Sequence, residues 1–138
     1  MPLITIFVED SRALRDALIT VLHTSKSVRV AEVAETCAEA LALALALVAR
    51  YGEKWDLMIL DLFLHDGTGL NVLQACRDRL PHQRIVVLTN MATSQLRRHC
   101  LELGAVEVFD KSRELNKLVE RCNSYQTSMT VLSQADYF

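Results

Sequence analysis

The sequence predicts an α/β protein, a single doubly wound parallel sheet of five strands with five helices. Three observations carry this. Short apolar runs rich in β-branched residues alternate strictly with longer stretches of helical spacing. The runs are continuously apolar rather than alternating, as strands covered by helices on both faces are. The chain has 138 residues, enough for one domain around one core.

The strands are placed at "LITIFV" (3–8), "VRVAEV" (28–33), "LMIL" (57–60), "RIVVLT" (84–89) and "VEVF" (106–109). Ser11 caps a first helix with the stripe Leu14, Leu18, Val21 and Leu22. Thr36 and Glu39 form a capping box for a second. "ALALALALVA" (40–49) alternates like a strand, but its length, Ala/Leu content and cap favour helix. That helix puts Leu41, Leu45 and Val48 on one face and Leu43 and Leu47 nearly opposite, where they either meet a partner or, on the simpler reading, stay exposed. Leu70, Leu73, Cys76 and Leu80 mark a third helix. Leu96, Cys100 and Leu103 mark a fourth, closed by Gly104. Ser112 caps a fifth, with Leu115, Leu118, Val119 and Cys122 on one face. One domain is expected over residues 1–124. The tail 125–138 loses the helical stripe and is too short for an output domain.

The net charge of −2 shows no basic excess that would draw nucleic acid. No apolar run is long enough to span a membrane, and the start has no basic segment of a signal peptide. The four cysteines are far apart and contain no C-x-x-C, so they read as reduced structural thiols of a cytoplasmic protein.

In a parallel α/β sheet, ligands bind beyond the carboxyl ends of the strands. There the first strand ends in Glu9-Asp10, the third in Asp61 and the fourth in Thr89, and the fifth is followed by Lys111. Any one strand-end acid reads most simply as a cap or turn residue. Three carboxylates at one edge repel one another unless a cation joins them, and Mg²⁺ takes a few carboxylates, waters and a phosphate oxygen. Lys111 and Thr89 suit phosphoryl oxygens, and a carboxylate such as Asp61 is a known phosphoryl acceptor. The set reads as phosphoryl transfer onto a protein carboxylate. Asp66, followed by Gly67 and Gly69, reads instead as a turn and helix-start residue.

The pieces "FVEDS" (7–11), "LMILDLFLHDGTGL" (57–70), "IVVLT" (85–89) and "GAVEVFDKS" (104–112), in this order, resemble the receiver domain of bacterial two-component response regulators. The resemblance covers roughly residues 3–124. It implies a flavodoxin-like sheet of order 2-1-3-4-5, with Asp61 as phosphoacceptor. Asp10 would ligate Mg²⁺ directly and Glu9 would act at the metal through water. Asp61 and the backbone carbonyl of Phe63 would complete the metal set, Thr89 would be the switch hydroxyl, and Lys111 would pair with a phosphoryl oxygen. It also implies a histidine kinase or phosphotransfer protein as donor and a protein output partner. The domain would catalyse only its own phosphorylation and dephosphorylation, and self-association into a homodimer is left open.

The sequence departs from the family pattern at several positions. Val108 replaces the usual aromatic residue, Ser112 replaces proline after the lysine, and His65 replaces proline after Asp61. Asn90 stands where a small residue is usual and narrows access to Asp61, and the region of the second helix is about two turns longer. Apolar Phe63 and Met91 occupy the variable positions that tune hydrolysis and imply a long-lived phosphoryl group. Val108 and Asn90 favour a competing reading, a phosphorylation-independent interaction module on the same fold. A metal-dependent phosphatase is the weakest reading, because Phe63 stands where its loop needs a second acid.

Overall fold

All five predicted strands join one parallel sheet, flanked by helices on both faces. The computed structural model of the chain describes residues 2–51 and 55–135, with side chains over 2–44 and 55–125. The elements are β1 (Leu3–Val8), α1 (Arg12–Thr24), β2 (Val28–Ala34), α2 (Cys37–Tyr51), β3 (Leu57–Asp61), β4 (Phe63–Leu64), β5 (Gly67–Thr68), α3 (Gly69–Ala75), β6 (Arg84–Thr89), α4 (Ser94–Glu102), β7 (Glu107–Asp110) and α5 (Leu115–Ala135). The sheet runs β2-β1-β3-β6-β7. Counting its five strands along the chain, this is the expected order 2-1-3-4-5. The two-residue strands β4 and β5 pair antiparallel outside it, in the loop that follows Asp61.

Strand alternation divides the core into two layers. Ile6, Val8, Met58, Leu60, Ile85, Val87 and Val108 face a cluster with residues of α2, α3 and α4. Leu3, Phe7, Leu57, Ile59, Val86, Leu88 and Phe109 face α1 and α5. Val108 and Phe109 therefore lie on opposite faces, as adjacent strand residues must. Each such fully buried aliphatic or aromatic side chain contributes about 1.5–3 kcal/mol relative to exposure.

Several local readings change. On α1 the buried face is Arg15, Leu18 and Leu22, while Val21 is largely exposed. Helix α2 buries Cys37, Ala40 and Ala44, with Leu41 and Leu43 both packed against that layer. Leu43 is thus not an exposed leucine, because small alanines let the helix sit close enough to seat it. The side chains of Leu45, Leu47 and Val48 lie outside the described residues. Helix α3 ends at Ala75, well short of Leu80. Ser112 lies in a turn, its N–H bonded to Asp110, and α5 starts three residues later. That helix runs on to Ala135, through the stretch expected to lose helical character. Among the described residues no helix is long and apolar enough to cross a membrane, and every peptide bond is trans.

Candidate functional site

Parallel pairing brings the ends of β1, β3, β6 and β7 to one edge. Val8 is level with Leu60 on β3, Asp61 with Leu88 on β6, and Thr89 with Asp110 on β7. The residues that continue these strands therefore meet, although they are far apart in sequence.

Glu9 is fully buried. Its N–H extends the ladder to the Ala34 carbonyl (2.9 Å), and its Oε2 accepts the Ser11 N–H (3.0 Å). Asp10 follows on the open side, with its side chain about one-fifth exposed. Asp61 closes β3 and is 3% exposed, and its Oδ1 accepts the Phe63 N–H (3.2 Å). One carboxylate oxygen from each of Glu9, Asp10 and Asp61 lies within 4.8 Å of the others.

The Lys111 ammonium enters this group from β7. Its Nζ is 2.6 Å from Glu9 Oε1 and 3.0 Å from Asp61 Oδ2. Its backbone N–H is held by the Thr89 carbonyl (3.0 Å), which fixes the start of the side chain beside the site. Thr89 is fully buried and its Oγ1 accepts the Met91 N–H (3.2 Å), leaving the hydroxyl proton free to be donated.

The electrostatics follow from burial. Desolvation pushes the Glu9 carboxyl above its usual range, the bonds from Lys111 and the Ser11 N–H pull it back, and Asp61 raises it further. For Lys111 burial opposes the charge, but the hydrogen bond to Glu9 and the charge of Asp61 outweigh it, so the ammonium is held above its ordinary range. One ammonium does not neutralise three carboxylates. Glu9, Asp10 and Asp61 offer carboxylate oxygens, with Asp10 on the solvent side, and this is the donor chemistry of a hard divalent cation.

Other residues were not found by strand-end reasoning. Arg15, 8% exposed, donates from Nη1 to the Glu9 carbonyl (2.8 Å) and pairs through Nη2 with Glu35 (3.0 Å). It stands in the apolar stripe of α1, and a charged residue inside such a stripe was the signal. Gly69 is demanded by close approach: a Cβ there would lie 2.5 Å from the Asp61 carbonyl oxygen. Asp66 does perform helix-start chemistry, but for α2 rather than for the adjacent α3. Its carboxylate accepts the N–H groups of Cys37 (2.8 Å) and Ala38 (3.1 Å), which hold it below the usual range. Thr36 takes the Glu39 N–H (3.1 Å), so three N–H groups of the first turn of α2 are satisfied. Helix α3 is capped by Thr68 instead (3.2 Å to the Leu70 N–H).

At the rim, Phe63 and Met91 are more than half exposed and Asn90 is exposed. Phe63 and Met91 border a cleft of about 630 Å³ that runs along α4 past Leu96, Arg98 and His99. Val108 is buried in the layer beneath α4, and its carbonyl accepts from Arg97 Nη1 (2.6 Å). His65 reaches Asp10, with Nε2 3.3 Å from Oδ2.

The sequence model of the response regulator receiver domain family matches residues 5–123. Among relatives, the photosynthetic apparatus regulatory protein RegA of Cereibacter sphaeroides is 34% identical over 89 residues, 64% of this chain and 45% of RegA. The acid tolerance regulatory protein ActR of Rhizobium meliloti is 30% identical over 88 residues, 64% of this chain and 42% of ActR. The chain thus spans less than half the length of these relatives. The response regulator domain of Thermotoga maritima CheB superposes with a TM-score of 0.77 at 17% identity, covering 92% of this chain and 98% of that one. A two-component response regulator of the LuxR family from an Aurantimonas species gives 0.79 at 20% identity, covering 93% and 87%. These two likenesses concern the fold alone. With the family match running from β1 into α5, the chain belongs to the response regulator receiver domain family.

Proposed function

We propose that the domain takes a phosphoryl group onto Asp61, with a Mg²⁺ ion held by Glu9, Asp10 and Asp61 and by the Phe63 carbonyl. The observation that carries this is Lys111 Nζ, poised between Glu9 and Asp61 inside a set of three carboxylates. An Asp61 oxygen forms the new bond to phosphorus as the bond to the donor's leaving group breaks. Lys111 stabilises the charge on the transferred group, and the Thr89 hydroxyl donates to one of its oxygens. When bound, the cation offsets the carboxylate charge and polarises the phosphoryl oxygens. Arg15 is a positioning residue, fixing Glu9 through its carbonyl. Self-catalysis of this kind makes the domain a substrate of its partner rather than a turnover enzyme.

The phosphodonor is a histidine kinase or a phosphotransfer protein in the cytoplasm, and the output is a change in contact with another protein. Incubation with Mg²⁺ and acetyl phosphate should add one phosphoryl group to the wild type and none to Asp61→Asn. Partner binding that is identical before and after phosphorylation, and retained by Asp61→Asn, would instead establish the phosphorylation-independent module that Val108 and Asn90 favour.

A further inference from the structure

β7 is the last strand of the sheet, so the outer side of its backbone pairs with no neighbouring strand. Lys111 gives its N–H inward to the Thr89 carbonyl, so alternation turns the Asp110 N–H and the Val108 carbonyl outward. A residue of a further parallel strand would bridge these two groups, donating to the carbonyl and accepting from the N–H. Two side chains bridge them here. Arg97 Nη1 donates to the Val108 carbonyl (2.6 Å), and Glu114 Oε1 accepts the Asp110 N–H (3.0 Å). Arg97 Nη2 meets the same Glu114 oxygen (2.6 Å) and closes the rung. The rung ends one residue before Lys111. The third nitrogen of Arg97 reaches the other side of the site, where Nε donates to the Ala92 carbonyl (3.1 Å) in the connection from Thr89 to α4. That connection is short and tied: Thr89 Oγ1 accepts the Met91 N–H (3.2 Å), and the Met91 carbonyl accepts the Thr93 N–H (2.8 Å). The nitrogens of a guanidinium are fixed in one plane. One rigid fork therefore sets the spacing between the segment that follows Thr89 and the strand that delivers Lys111. Glu9, Asp10 and Asp61 come from the ends of β1 and β3, outside this frame.

We infer that Arg97 and Glu114 are positioning residues for the phosphoryl transfer, holding the Thr89 hydroxyl and the Lys111 ammonium at the spacing the transferred group needs. The inference rests on the reading of Asp61 as phosphoacceptor given above. Lysine at position 97 keeps the charge, but a single ammonium cannot serve Ala92, Val108 and Glu114 as a planar fork does. Glutamine at position 114 loses the charge but keeps an oxygen acceptor for both Arg97 and the Asp110 N–H.

The test is the rate of phosphorylation of the whole chain by acetyl phosphate at saturating Mg²⁺, at a temperature where urea melts show every variant folded. Lost stability alone then leaves the rate unchanged. Arg97→Lys and Glu114→Ala should each slow phosphorylation about tenfold or more, because misplacement by about an ångström costs that much. Glu114→Gln should restore most of the rate that Glu114→Ala loses. Mg²⁺ affinity, measured by calorimetry, should stay within about twofold in all three variants. Rates within about twofold of wild type for Arg97→Lys and Glu114→Ala would overturn the inference. Equal slowing by Glu114→Gln and Glu114→Ala would also overturn it, because the charge and not the rung would then matter. Mg²⁺ binding that weakens in step with the rate would do the same, placing the effect on the carboxylates. A wild type that takes up no phosphoryl group, or an Asp61→Asn variant labelled as fast as wild type, would sink the reading of Asp61 and the inference with it. Those two controls tell that failure apart from the others.

Discussion

Replacing Glu114 by glutamine tests how firmly α4, β7 and α5 are tied together beside the site. Arg97 is the tie. Its Nη2 meets Glu114 Oε1 at 2.6 Å, its Nη1 donates to the Val108 carbonyl at 2.6 Å, and its Nε donates to the Ala92 carbonyl at 3.1 Å. Glu114 also accepts the Asp110 N–H (3.0 Å). The Arg97 hydrogen bond first, and the Asp110 N–H second, hold the Glu114 carboxyl at about 2 against an ordinary 4.5. At 1.36 kcal/mol per pH unit this corresponds to a ceiling of about 3 kcal/mol. The two side chains are 36% and 19% exposed, and solvent screening reduces the contribution to about 1–2 kcal/mol. Glutamine keeps an oxygen acceptor for both donors, so the substitution removes mainly the charge. A carboxyl whose pKa is depressed on folding contributes its stability fully above 4.5 and loses it as the pH falls through about 2. Urea denaturation should therefore show Glu114→Gln less stable by about 1–2 kcal/mol at pH 7, or roughly 3–8 °C in Tm. The gap should close between about pH 5 and pH 2. A deficit that stays constant across that range, or one below about 0.3 kcal/mol at pH 7, would refute the reasoning.

Other substitutions probe the site and its frame. Lys111→Met leaves Glu9 and Asp61 buried without their cation and should cost about 3–5 kcal/mol in urea melts, partly recovered by millimolar Mg²⁺. Full stability without Mg²⁺ would show that the pair is not held by this ammonium. Gly69→Ala forces the new Cβ against the Asp61 carbonyl and should lower Tm and slow phosphorylation by acetyl phosphate together. Normal rates would contradict that close approach. Asp66→Ala should lower Tm and speed amide exchange at Cys37 and Ala38, with Leu70 little changed; faster exchange at Leu70 alone would return Asp66 to α3. Phe63→Asn places a polar group at the rim and should shorten the phosphoryl lifetime measured by loss of radiolabel, whereas a wild-type half-life of seconds unaltered by the change would end the argument for apolar protection.

The sheet and its acidic edge were legible because both depend on local signals. Buried parallel strands must be continuously apolar, and the strand ends are where α/β sheets place their chemistry, so Glu9, Asp10, Asp61, Thr89 and Lys111 could be read in order. Contacts that depend on side chains crossing between elements were not legible. Arg15 was not singled out, because nothing in sequence says that the Glu9 carbonyl lies within reach of its guanidinium. Asp66 was assigned to the nearest helix because helix caps are usually local, whereas the cap of α2 arrives from 29 residues away. Leu43 was expected to be exposed because the alternating leucines of α2 cannot all face one layer. Its half-burial depends on the alanines Ala40 and Ala44 at the contact.

The two aspartates of "DLFLHD" (61–66) do different work, yet one loop connects them. Asp61 fixes the loop at its start through the Phe63 N–H. Leu62 then accepts from the Gly69 N–H at 2.7 Å, and β4 pairs with β5, closing a compact turn over the site. Asp66 projects from that turn to the first N–H groups of α2, while Thr68 caps α3 at its exit. The loop beside Asp61 is thus anchored to two helices and carries His65 against Asp10. A charge placed on Asp61 acts on a segment whose hydrogen bonds already reach α2 and α3. Each of those bonds is a local, countable interaction, so the cost of moving the loop is set by the Asp66, Thr68 and Gly69 contacts rather than by the strand that ends in Asp61.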